Sequence, residues 1–133
     1  MTVLPNQQLD QAIEENIRSL YISQLGQQPQ RIRIRNDDSR LTIFLENGLT
    51  SPEQFLLAHS RTGLVQEIRQ ALHEILQPRI KSLIEQLTGI TVVDTVITTN
   101  LNLGFVNIIV TLAEPLKELY PIDQSQSSTK SKD

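Results

Sequence analysis

Arg31, Arg33 and Arg35 alternate with Ile32 and Ile34 in the run QRIRIRND, residues 30–37, of a 133-residue chain whose formal charge is −3. A guanidinium presents a planar fork of donors that pairs with carboxylates or phosphates and stacks on aromatic rings. Three of them at every second position would project from one side of a strand. Such a row suits a subunit contact or a solvated face, or else an acidic or phosphate-bearing partner. Nucleic acid is the weakest reading, because a domain that binds it usually carries net basic charge.

Other candidate chemistry falls away residue by residue. His73-Glu74-Ile75-Leu76-Gln77 imitates the zinc-protease helix, but that motif needs a second His where Gln77 stands, and Pro78 follows. His59 and His73 are the only histidines, whereas a catalytic zinc takes three protein ligands, so both read as helix-surface or boundary residues. Asp37-Asp38 reads as turn chemistry before it reads as a cation site. Ser51, Ser60 and Thr62 have no matched His and Asp spacing for a triad. There is no Cys, hence no thiolate, disulfide or zinc-thiolate site. Five glycines are scattered singly where elements end, so no phosphate loop forms. The expectation is a protein that is not an enzyme and uses no cofactor and no metal.

The elements that would hold the arginines follow from periodicity. Leu9, Ala12, Ile13, Ile17 and Leu20, with Tyr21 beside them, recur at threes and fours, predicting a helix from about Pro5 to Gln24, closed by Gly26 and Pro29. Arg31–Arg35 and Arg40–Glu46 alternate as half-buried strands around the turn Asn36-Asp37-Asp38-Ser39. Ser51 as N-cap, Pro52 as first helical residue and Gln54 at the third position predict a short helix to His59. A long helix follows, with Leu64, Ile68, Ala71, Leu72 and Ile75 on its buried stripe, then a shifted stripe of Leu76, Ile80, Leu83, Ile84 and Leu87 beyond a kink at Pro78. Ile90–Thr99 and Phe105–Leu112 make a second hairpin.

With helices covering one side, Arg31, Arg33, Arg35, Thr42, Phe44 and Glu46 share the other face with Phe105, Asn107, Ile109 and Thr111, joined by Thr91, Val93, Thr95 and Ile97. Phe44, Phe105 and Ile109 among polar groups are what a partner or dimer surface shows. Within the row, Arg33 sits mid-strand, where holding it costs the least entropy, and is expected to carry the specificity of the contact. The fold class expected is α/β in the α+β sense: a two-layer sandwich, αββααββ, with a four-stranded antiparallel sheet and helices on one face. One domain should occupy residues 1–120 and a disordered Ser/Gln/Lys tail residues 121–133.

The order Gly48-Leu49-Thr50, Glu53 after Ser51-Pro52, Gly63 and Arg69 opening the long helix, Pro78 within it, Thr88-Gly89 at its end and the closing strand-turn-strand resembles the MpsC-like family of small bacterial proteins. Upstream, Leu25-Gly26, Pro29 and Arg33 resemble that family's Gly-rich turn and first strand, although Gln28 stands where a second Gly is expected. The resemblance implies association with a sodium-translocating, membrane-potential-generating system linked to bicarbonate supply, in which this component is not the transporter. It carries over no catalytic residue. The expectation is therefore a cytoplasmic accessory protein, a homodimer, bound at the membrane through a protein partner and not inserted itself. A small regulatory module binding nucleic acid through Arg31, Arg33 and Arg35 is the alternative.

Overall fold

A computed structural model describes residues 6–116. Three helices and four strands run α1 (Asn6–Leu25), β1 (Arg31–Asp37), β2 (Arg40–Glu46), α2 (Ser51–Ala58), α3 (Thr62–Thr88), β3 (Val92–Asn100) and β4 (Phe105–Leu112). All neighbouring strands are antiparallel, in the order β1-β2-β4-β3, so the two hairpins meet through their second strands. This is the αββααββ α+β fold. The expected tail at 121–133 lies outside the described residues.

Strand parity decides which side chains form the core. Ile32, Leu41, Ile43, Leu45, Val106, Ile108, Val110 and Leu112 point inward and are buried, as period two requires. Leu9, Ile13, Ile17 and Tyr21 recur every fourth residue on α1 and cover them. Complete burial of each such aliphatic side chain contributes about 1.5–3 kcal/mol, so a domain with few aromatics is held by number of contacts. Between β1 and β2 the loop is just Asp38-Ser39, with Asp38 at φ +60, a conformation that Asp tolerates.

Three expectations are corrected. The N-cap of α2 is Thr50, not Ser51, and the residue at the third position is Glu53, not Gln54. The Thr50 side chain accepts from the Glu53 amide while the Glu53 carboxylate accepts from the Thr50 amide, a complete capping box. On α3 the inward stripe is Val65, Arg69, Leu76, Ile80, Ile84 and Thr88, which passes Pro78 without changing face. Leu64 (46% exposed) and Ile75 (57%) therefore face outward. On β3 a bulge between Val92 and Asp94 inserts Val93 and resets the alternation. Thr95 is buried on the helix side and Ile97 packs against the core, while Asp94 and Val96 turn to the open face opposite Thr111 and Ile109.

Candidate functional site

Two regions concentrate polar chemistry, one on each layer. The first is the face of the sheet turned away from α1 and α3. Cross-strand register sets its rows: Arg35, Thr42, Ile109 and Val96; then Arg33, Phe44, Asn107 and Thr98. The next row begins with Arg31 and Glu46. Phe44 and Phe105 meet edge to face, with ring centroids 4.9 Å apart. Both rings and Ile109 are half-buried, so they are less open than their positions suggest, because each is sheltered by its neighbours on the sheet. Val96, missed from the sequence because the bulge could not be foreseen, is the more exposed at 42%.

The arginines differ from one another. Arg33 Nη2 lies 3.2 Å from Glu46 Oε2, a diagonal cross-strand ion pair in which the arginine is still mostly exposed. Arg31 and Arg35 are exposed and enter no ion pair among the described residues. The Arg33 fork thus already has a carboxylate on its own sheet, while its two neighbours present unengaged cations. Asp37, Glu46 and Asp94 share the face, so its charge is mixed.

The second region is a buried polar knot at the junction of α1, α2, α3 and the loop after β2. Arg69 Nη1 donates to Glu53 Oε1 at 3.2 Å, to Oε2 at 3.4 Å and to the Gly48 carbonyl at 3.5 Å. Both side chains are almost wholly buried. Glu53 Oε1 also accepts from the Thr50 amide at 2.8 Å and the Thr50 hydroxyl at 3.0 Å, so one carboxylate closes a helix cap and neutralises a core cation. Gly48 completes the junction: its amide donates to the Gly104 carbonyl at 2.9 Å, and a Cβ there would stand 2.6 Å from Val106 Cγ2. Only glycine fits without displacement. Among the described residues, Arg69 Nε and Nη2 and the Tyr21 hydroxyl have no hydrogen-bond partner at ordinary geometry. Burial pushes Tyr21 up to about 12, against the opposing pull of Arg69.

Beside the knot lies an open pocket of about 370 Å³ lined by Gln66, Arg69, His73, Thr99 and Asn102 among others. His73 Nε2 is 3.0 Å from Thr99 Oγ1, and desolvation, followed by the Arg69 charge, lowers its pKa. His59 is elsewhere, with Nδ1 2.9 Å from the Phe55 carbonyl and its ring against Phe55. Ser51, Ser60 and Thr62 are brought to neither histidine by any hydrogen bond among the described residues.

The chain is a two-layer α+β domain with one sheet face open and the Glu53–Arg69 pair almost wholly buried. The chain belongs to the MpsC family, described as a Na+-translocating membrane potential-generating system, whose model matches residues 6–114. No curated protein and no solved structure matches it. No helix among the described residues is long and apolar enough to cross a membrane.

Proposed function

We propose that this protein is a non-catalytic accessory component, acting through protein contacts in a sodium-translocating, membrane-potential-generating system tied to inorganic-carbon transport. In this reading it works as a cytoplasmic homodimer, peripheral to the membrane through its partner and without a cofactor. The observation that carries the reading is the open sheet face, where Arg31 and Arg35 stand unpaired beside Phe44, Phe105, Ile109 and Val96. Arginine beside half-buried aromatics is the composition enriched in contact surfaces. The family description supplies the system.

The test uses Arg31→Glu with Arg35→Glu, and Arg33→Glu separately. Arg31 and Arg35 are exposed, and substitutions at such positions alter stability by less than about 0.5 kcal/mol, so folding should hold; Arg33→Glu also loses the Glu46 pair, worth about 0–1 kcal/mol, so its thermal midpoint is measured alongside. Light scattering should fall from dimer to monomer mass, or capture of an ion-translocating membrane protein from native membranes should be lost. Unchanged mass and capture in both variants would remove the sheet face from the reading. The pairing of Phe44 and Phe105 beside arginines also favours a second reading, stacking of single-stranded RNA. Tight RNA binding with a steep salt dependence would replace the accessory role by that one.

A further inference from the structure

Outward on α3, Leu64, Ile68, Ala71 and Ile75 follow one another at intervals of four, three and four, the spacing of a coiled-coil seam. Leu64 and Ile75 are 46% and 57% exposed, Ala71 is exposed and Ile68 half-buried. The core does not need them, because Val65, Arg69 and Leu76 already fill the inward face. The seam runs about 17 Å, a little over three turns, and stops at Pro78, which occupies the next seam position. We propose that this seam is a docking surface for a basic amphipathic helix of a partner protein, separate from the open sheet face on the other layer.

Charge selects that occupant. Glu67 and Glu74 are exposed on the solvent flank of the seam, one beside each of its two central turns. Neither enters an ion pair among the described residues, and Glu74 accepts only a 3.4 Å hydrogen bond from Gln70. Lys or Arg flanking a partner's apolar stripe would meet those carboxylates, as such flanks do in paired helices. Arg61 and Arg79 lie beyond the two ends of the acidic stretch, so they bound the site without neutralising its middle. A second copy fits less well. Antiparallel pairing of two seams sets Glu67 of one copy near Glu74 of the other, twice, and parallel pairing needs the flank that Val65 and Leu72 keep turned to the core. An anionic bilayer is repelled by the same two carboxylates.

The probes are two labelled helical peptides with leucines at three-and-four spacing, one flanked by lysines and the other by glutamates. Fluorescence anisotropy should show the full chain binding the lysine peptide at least tenfold more tightly. Leu64→Asp with Ile75→Asp should weaken that binding tenfold or more while circular dichroism and thermal midpoint stay unchanged. Glu67→Lys with Glu74→Lys should reverse the preference between peptides, and Glu15→Lys with Asp94→Lys, an equal change of net charge elsewhere, should not. Arg31→Glu with Arg35→Glu should leave peptide binding intact, which separates this surface from the sheet face. The proposal fails if the two peptides bind alike or if the control reversal matches the seam reversal. It fails equally if the seam variant converts a dimer to monomer, making the seam a subunit contact, or if Leu64 and Ile75 instead govern binding to phosphatidylserine vesicles.

Discussion

The Glu53–Arg69 pair and the arginine row of β1 use the same side chains under opposite conditions. Arg69 is almost wholly buried, held to one carboxylate and one carbonyl, and joins α3 to the α2 cap and the loop at Gly48. Arg33 makes an ion pair of similar length with Glu46, yet in solvent, where screening reduces such a pair to about 0–1 kcal/mol. Distance alone does not rank them. Burial makes the inner pair costly to break, because removing one partner leaves an uncompensated charge in the core, whereas the outer arginines stand in solvent and can change with little effect on folding.

The strongest way to break that contrast is to remove half of the knot. Arg69→Met or Glu53→Leu alone should each cost about 3–5 kcal/mol in denaturant unfolding, and the double variant should cost less than the sum. An Arg69→Met protein within about 1 kcal/mol of the parent would mean that water reaches the pair in solution. Next in size is Gly48→Ala, where the new methyl meets Val106 Cγ2. An overpacked position of this kind loses about 1–3 kcal/mol, and adding Val106→Ala should restore part of the loss at the same site.

The smallest expected effect sharpens the boundary between the two regions. His73 is half-buried beside the knot and its pKa is lowered by desolvation and then by Arg69. Its folded pKa thus lies below the unfolded value, so the unfolded chain binds the extra proton. Stability from this residue is complete above about pH 6.5 and is lost as pH falls through the folded pKa. His73→Gln should flatten the acid side of a thermal-midpoint profile, and an equally steep profile in that variant would assign the loss to other groups.

Much of the architecture was readable because β1, β2 and β4 alternate cleanly and α1 repeats at four-residue spacing. Arg69 was not readable as core. Its charge makes the true stripe through Val65, Arg69 and Leu76 look interrupted, while Leu64, Ile68, Ala71 and Ile75 imitate an inward face one residue away. Glu53 is sixteen residues distant in sequence, so no local pattern announces the pair. The one available signal was indirect: Gly48, Glu53 and Arg69 were all among the residues carrying the family resemblance, and the structure brings the three together. The face of β3 was misread for a different reason, since one inserted residue at the bulge inverts every later side chain.

The strand order β1-β2-β4-β3 leaves β1 and β3 as the outer strands of the described sheet. Each exposes a row of backbone donors and acceptors to which a stray chain could add, the route by which sheets grow into aggregates. RIRIR sets a cation at every second residue of one such border, so a strand stacking against it must confront three guanidinium groups. At the other border the Val92–Asp94 bulge breaks the regular ladder and places a carboxylate beside the break. These features of the two borders therefore give the protein colloidal protection of its own, and losing the row would be felt as poorer solubility at high concentration before it was felt as a weaker fold.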